Sequence, residues 1–329
     1  MPTSIPESTI RYYHAYGLVI ASELDLGPGA NVAPANIDVI IRYAAVPDDF
    51  PDSSLRTQTH EIANGDKLLL KVPGIGRFLA ASGCVIEIEP AENTSAPRIR
   101  SFVLGTLMSA ILHQRGLTPF HASAIQVADE AVLFLGKSGS GKSTLAAYLN
   151  RCEYPLLNDD VCALQIDNQG APFLLPGFPR IKLWQDAMQK LDLPREESNR
   201  LANRVGKYEM PLSSGSIPDS LPVHRAYELR YTLKGEEPGI TTLASAASMD
   251  RWLRMTFRER LASALGNAEP RFQTCSSLTQ QVRLAQLSRK RGLDGLGRVL
   301  EMLETDWKSQ GVTSRAKSRP LPQLTHRPN

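Results

Sequence analysis

Residues 136–143, Gly136-Lys137-Ser138-Gly139-Ser140-Gly141-Lys142-Ser143, fill every fixed position of the pattern G-x-x-x-x-G-K-[ST]. They follow the apolar run Val132-Leu133-Phe134-Leu135. Glycines in such a loop let successive backbone N–H groups face one concavity, a shape suited to a polyphosphate. Lys142 can reach the β- and γ-phosphate oxygens, and the Ser143 hydroxyl can ligate Mg²⁺. Thr144 to Leu149 reads as a helix whose N-terminal dipole faces the phosphates. The expectation is a P-loop (Walker A) site in which residues Gly136 through Thr144 hold ATP with Mg²⁺.

A phosphate cradle needs a metal partner and something to activate the acceptor. Asp159 and Asp160 follow the apolar Pro155-Leu156-Leu157 and precede the β-branched Val161. Adjacent carboxylates on a strand point to opposite faces, so the two are expected to have different jobs. One accepts the proton of an attacking hydroxyl and the other holds the metal or its water. The bland alternative is an Asp-Asp turn on the surface. His121 lies on the strand expected before the loop strand. It is either a site residue that tunes a neighbouring carboxylate or a satisfied core histidine.

The elements that must position these groups can be read from patterning. Between residues 11 and 100, short strands are expected at Tyr16–Ile20, Asp38–Arg42, Lys67–Val72, Arg77–Ala80 and Cys84–Ile88. Gly74-Ile75-Gly76 lacks the third glycine and the helix of a dinucleotide fingerprint, and reads as a hairpin turn. Ser101–Arg115 carries one apolar face (Val103, Leu104, Leu107, Met108, Ile111, Leu112) and predicts a helix stopped by Gly116. A domain boundary is expected near residue 100, at Ala96-Pro97. Phe120–Val127, the strand into the loop, Tyr154–Leu164 and the alternating Tyr227–Lys234 are further strands, with a turn at Asp167–Gly170. Asp250–Leu265, Ser277–Arg291 and Leu296–Trp307 read as three helices. The expected organisation is a β-rich domain over 1–100, a nucleotide domain with C-terminal helices over 101–307, and a disordered tail over 308–329. That tail has five Lys/Arg, three prolines and no acidic residue.

The chain has 329 residues, 42% hydrophobic and 22% charged, with a formal net charge of +3. That charge is too small to imply nucleic acid or a membrane surface as the main partner. No apolar run approaches the roughly 20 residues that span a bilayer, and the first residues lack the pattern of a signal peptide. The four cysteines show no C-x-x-C pair or metal-ligand spacing, so they read as reduced thiols. A cytoplasmic protein is expected.

Phe120-His121-Ala122-Ser123, then Gly136–Ser143, then Leu157-Asn158-Asp159-Asp160 resembles the catalytic core of the bacterial HPr kinase/phosphorylase family. That family shows a histidine, a P-loop ending in Gly-Lys-Ser, and an Ala-Asp-Asp strand at similar spacing. The match covers about residues 115–165, weakens through the C-terminal segment, and is absent from the first hundred residues. The resemblance implies an α/β P-loop kinase core with the mixed sheet of PEP carboxykinase and HPr kinase, and a protein-serine kinase activity. His121 then matches the catalytic-site histidine, Lys142 the P-loop lysine and Ser143 the metal-binding serine. Asp160 matches the residue that takes the acceptor proton, and Asp159 its acidic neighbour and a metal ligand. Family members are often ring-shaped, so a homo-oligomer is among the expectations.

Two departures stand out. The family's downstream Glu-Arg-Gly has no glutamate in Leu175-Pro176-Gly177-Phe178-Pro179-Arg180, and its later catalytic arginine has no secure counterpart. Arg180, Arg204 and Lys207 are candidate phosphate clamps or solvated charges. These departures argue against phosphorylase activity, and the unusual N-terminal domain argues against HPr as the acceptor. The layout also resembles shorter kinases of the superfamily that act on peptides, such as lasso-peptide tailoring kinases. The leading expectation is transfer of the γ-phosphoryl to a serine of a protein or peptide. The alternatives are a small hydroxylated metabolite as acceptor, or a binding module that ATP only switches.

Overall fold

The computed structural model describes residues 10–27, 36–63, 65–193, 206–211 and 219–311. Of the expected disordered tail over 308–329, Lys308 and Ser309 instead close the last helix, because that helix carries its amphipathic pattern beyond Trp307. Residues 312–329 and the candidate clamp Arg204 lie outside the described residues. By its internal contacts the chain divides into two compact units. One is Met1–Pro119 with Thr256–Phe272, and the other is Phe120–Met255 with Gln273–Asn329.

In the first unit eight strands form one sheet. They are β1 (Arg11–Ala15), β2 (Leu18–Ser22), β3 (Val39–Tyr43), β4 (Ser53–Arg56), β5 (His60–Ala63), β6 (Lys67–Val72), β7 (Gly76–Ala81) and β8 (Val85–Pro90). Their spatial order is β1-β2-β3-β8-β7-β6-β5-β4. Phe78, Ala80, Ile86 and Ile88 are buried while their chain neighbours are partly exposed, the period-2 pattern of a sheet with one covered face. The expected strand Tyr16–Ile20 starts instead at a turn. Tyr16 and Gly17 both have positive φ (58° and 69°) between paired Ala15 and Leu18, the geometry of a two-residue hairpin loop. Gly74-Ile75-Gly76 does join two antiparallel strands, β6 and β7.

The helix after this sheet begins earlier than its apolar face suggests. α1 (Ala96–Phe102) carries proline in its first turn, where the missing N–H costs no intrahelical bond. A π-helical turn, Val103–Leu107, links it to α2 (Met108–Gln114). Gly116 (φ 78°) ends it: its N–H reaches the His113 carbonyl and the Leu117 N–H reaches that of Leu112, a Schellman closure. Phe102 stacks on Phe78 at 6.1 Å, and the Gln114 side-chain amide donates to the Ala80 carbonyl at 3.2 Å. The helix therefore groups with the β-rich sheet, and the first unit runs to Pro119 rather than ending near residue 100.

β9 (Thr118–Phe120) ends the first unit and opens the second, which continues with the hairpin β10 (Ala122–Val127) and β11 (Glu130–Leu135), followed by α3 (Lys142–Arg151). Next come β12 (Leu156–Asp159), β13 (Cys162–Ile166), β14 (Pro172–Leu175), β15 (Arg180–Trp184), α4 (Gln185–Lys190), β16 (Lys207–Pro211) and β17 (Leu221–Tyr231). β18 (Gly239–Thr242), α5 (Ser245–Met255), β19 (Arg283–Arg289) and α8 (Leu296–Ser309) also belong to this unit, while α6 (Glu259–Ala264) belongs to the first and α7 (Ala268–Gln281) starts in the first and ends in the second. β11 pairs parallel with β17, and β17 parallel with β19; β12, β10 and β18 add antiparallel pairings. β15 and β16 form a separate two-stranded ribbon.

Every residue of β11 is buried, as a strand covered on both faces requires. Val132 and Phe134 join the core that holds Leu145, Leu149, Leu303 and Trp307 of α3 and α8. Ala131, Leu133 and Leu135 join the opposite core with Trp252, Cys275 and Leu278 of α5 and α7. The second unit is thus a mixed sheet between helices and the first is β-rich, compatible with the expected α/β kinase class.

The expected helix Ser277–Arg291 requires correction. α7 ends at Gln281, and Arg283–Arg289 is a strand paired with both β17 and β18. Its Arg, Leu, Ala and Gln favour helix locally, but burial on both faces of a sheet overrides that weak preference. Asp250–Leu265 also splits, into α5 and α6, at Arg258 with φ 52°.

Candidate functional site

The loop from Gly136 to Gly141 connects β11 to α3. Gly136, Gly139 and Gly141 have φ of 139°, 86° and 91°, values that L side chains avoid. A Cβ on Gly136 would stand 2.9 Å from the Leu229 carbonyl, so the close approach of β17 needs glycine there. Lys137, Ser138 and Gly139 are exposed, whereas Lys142 in the first turn of α3 is buried. Its ammonium donates to the carbonyls of Gly136 at 2.7 Å and Lys137 at 3.3 Å. Burial pushes its pKa down to about 8, Lys207 adds to that, and the charges of Asp159 and Asp160 oppose it.

The two aspartates sit where the expected strand Tyr154–Leu164 breaks. Asp159 ends β12, and Asp160 adopts φ 75°, a strained value for a non-glycine residue, before β13 begins. Buried Asp159 accepts from the Ser123 hydroxyl at 2.6 Å through Oδ1 and from the Lys182 backbone N–H at 3.0 Å through Oδ2. Asp160 Oδ2 takes the Lys182 ammonium at 2.7 Å, while Oδ1 lies 3.3 Å from His121 Nδ1. Burial would raise the Asp160 carboxyl, but Lys182 and His121 outweigh it and hold it well below the usual carboxylate range. His121 falls between β9 and β10 rather than on a strand, with its Nδ1 also 3.2 Å from the Asp160 carbonyl.

Three of the predicted elements thus meet in the second unit. His121 touches Asp160, and Lys142 feels the charge of both aspartates. The candidate clamps fall differently. Arg180 is buried and ion-paired with Glu209 across the β15–β16 ribbon, so a glutamate absent from the 175–180 segment enters from another strand. The Lys207 ammonium lies 5.8 Å from the Trp184 ring centroid.

Two residues escaped the sequence reading. Lys182 could have been found, because Arg180-Ile181-Lys182-Leu183-Trp184 alternates as a strand with one polar face. Arg289 ends β19 and donates to the Ser140 carbonyl at 3.2 Å. No local signal pointed to it, since its segment read as helix.

A polyphosphate with a hard cation fits the groups present. The space beside exposed Gly139 is open, with no atom within 4 Å of where a Cβ would stand, and Ser143 is partly exposed in the first turn of α3. Each Asp159 oxygen accepts one hydrogen bond and retains a lone pair. Among the described residues no group of three or more His, Cys, Asp or Glu could hold a metal ion. A cation here would therefore rest on few protein ligands plus phosphate oxygens, the usual arrangement for Mg²⁺. Buried Cys162, whose thiol is raised well above its usual value by burial and by the two aspartates, is no ligand candidate. The described cysteines are all free thiols, and no described helix is long and apolar enough to cross a membrane.

No family profile matches the chain, and no curated protein matches it in sequence. Among solved structures, the HPr(Ser) kinase/phosphatase from Coxiella burnetii aligns with 59% of this chain and 97% of its own. The identity is 14% and the TM-score 0.31, a distant likeness only.

Proposed function

We propose that the chain is an ATP- and Mg²⁺-dependent kinase that transfers the γ-phosphoryl to a serine hydroxyl of a protein or peptide. The observation that carries this reading is the contact of Asp160 with both His121 and Lys182, within electrostatic reach of buried Lys142. A nucleotide sensor needs the lysine and the glycine loop. It has no use for a strained, ionised carboxylate held between an ammonium and an imidazole.

In this reading the acceptor oxygen attacks the γ-phosphorus, the bond to the β-phosphate oxygen breaks, and the hydroxyl proton passes to Asp160. Phosphoryl transfer asks little covalent chemistry of the protein, so positioning and charge stabilisation dominate. An Asp160 carboxyl held far down its range is a weak base, and its first task is to orient the hydroxyl as a hydrogen-bond acceptor. His121 fixes the carboxylate from one side and Lys182 from the other. Lys142 supplies charge to the β- and γ-phosphates, and the backbone N–H groups of 136–144 wrap them. Ser143 and Asp159 would hold Mg²⁺, which when bound neutralises charge on the phosphates. The resemblance in residues 115–165 supports serine as acceptor.

The test is transfer from γ-labelled ATP. Label on a polypeptide serine is expected; label on a small molecule would move the acceptor class. Tight nucleotide binding with no transfer to any extract would leave only a switch module.

A further inference from the structure

Arg289 is 4% exposed, yet among the described residues no carboxylate pairs with it. Its hydrogen-bond partners are all neutral. Nη2 reaches the Ser140 carbonyl at 3.2 Å and the Tyr231 hydroxyl at 3.4 Å, and Nη1 reaches the carbonyls of Lys290 at 3.3 Å and Gly292 at 3.1 Å. Nε has no partner among the described residues. The guanidinium carbon lies 4.8 Å from the Tyr231 ring centroid, and burial lowers the pKa of the group. Burying a cation without a counter-charge is costly, and a fold that keeps one there has a use for it.

The guanidinium fills the space beside Gly141. A Cβ on that glycine would stand 1.9 Å from Nη2, and its φ of 91° independently disfavours any side chain. A trans peptide is planar, with its C=O and N–H pointing in opposite directions. When Arg289 takes the Ser140 carbonyl, the Gly141 N–H must therefore turn to the other side of the loop. The Tyr231 hydroxyl takes the preceding carbonyl, that of Gly139, at 3.1 Å. Two successive carbonyls are thus anchored by one strand-end platform. The Ser140 N–H is spent within the loop, on the Lys137 carbonyl at 3.1 Å, so the N–H that this platform turns toward an anion nest is that of Gly141.

We propose that Arg289, with Tyr231, is a positioning residue that presets the Gly136–Gly141 loop for the phosphates of a nucleoside triphosphate. This rests on the kinase reading above, through its nucleotide site. It assigns a role to β19, a strand outside the stretch that carries the family resemblance. The arginine acts through the loop backbone, so it governs nucleotide affinity more than the chemical step.

The experiment compares Arg289→Met, Arg289→Lys, Tyr231→Phe and Lys142→Ala for Mg·ATP and ADP binding by calorimetry, and for melting without nucleotide. Arg289→Met is expected to weaken both nucleotides at least tenfold, and Arg289→Lys less. KM for ATP should rise while kcat at saturation stays within a few-fold. The ligand-free melting temperature should be unchanged or higher, because an uncompensated buried charge has been removed. A merely structural arginine would instead lower it. Wild-type affinity in Arg289→Met, or a loss of binding that tracks a lowered melting temperature, overturns the inference. If Arg289→Met does not fold, Tyr231→Phe decides: several-fold weaker binding supports the platform and unchanged affinity overturns it. Lys142→Ala separates the two levels. If it weakens binding and Arg289→Met does not, only the arginine's role fails. If wild type binds no nucleotide, or Lys142→Ala binds as well as wild type, the nucleotide site fails and takes this inference with it.

Discussion

His113 and His121 stand eight positions apart in the chain, one in each compact unit, and their surroundings are opposite. His113 is buried, with Nε2 3.1 Å from the Phe257 carbonyl and Nδ1 2.8 Å from the Asn267 side-chain amide nitrogen. These partners fix a neutral ring, with Nε2 donating and Nδ1 accepting. Burial pushes its pKa down to about 4. His121 is part-exposed and meets a carboxylate that also holds a lysine. The first histidine has both ring nitrogens engaged by neutral partners. The second belongs to a set of charges left accessible at a strained turn. Residue type does not separate a packing histidine from a chemical one. Partner type does: amide and carbonyl in one case, carboxylate in the other.

The largest effects are expected at the charged set. Lys142→Ala and Asp160→Asn should each lower transfer by about a thousandfold or more, at the upper end of what a positioned acid–base or phosphate-binding group contributes. Calorimetry should then part them, with ATP binding weakened in the first and nearly intact in the second. Retained turnover in Asp160→Asn would hand the base role to Asp159 or His121 and dissolve the contrast drawn here. Lys182→Met leaves Asp160 without its closest cation. We expect a loss of about 1–3 kcal/mol in denaturant unfolding, as for a charge-assisted hydrogen bond lost from a partly buried pair, together with loss of transfer. Lys182→Arg should recover most of both.

The histidines themselves give the sharper comparison. His113→Ala should cost about 2–4 kcal/mol of stability through the cavity and the unpaired Asn267, with the transfer rate per folded molecule unchanged. His121→Ala should do the reverse, lowering the rate about tenfold with little change in unfolding midpoint. An unchanged rate would leave His121 a structural partner of Asp160 only. The smallest signal is in pH. A histidine whose folded-state pKa is depressed binds its proton first in the unfolded chain. The stability that neutral His113 protects is complete above about pH 6.5 and is lost as pH falls toward about 4. That loss should amount to about 3 kcal/mol. Urea unfolding of wild type and His113→Gln across this window should show a flatter acid limb in the variant.

How much of this was legible beforehand varied by element. The loop from Gly136 to Ser143 announced itself because its chemistry is local: glycine torsions, one lysine and one hydroxyl at fixed offsets. β6 and the hairpin through Gly74 to Gly76 followed from alternation and turn residues, which also act over a few positions. Pro97 misled, since a proline marks both a linker and the first turn of a helix. Asp160 was expected on a strand, and its positive φ depends on the partners that Lys182 and His121 bring to it.

By itself the sequence determined where backbone torsion and residue spacing carry the chemistry: a glycine loop, a lysine opening a helix, two carboxylates after an apolar run. Tertiary structure alone decided that Arg283–Arg289 is a strand, that Lys182 reaches Asp160, and that Arg289 backs the loop. Helix and strand preferences differ by well under 1 kcal/mol per residue for such side chains, so burial between neighbouring strands settles the outcome. Contacts between residues far apart in sequence have no local pattern to read.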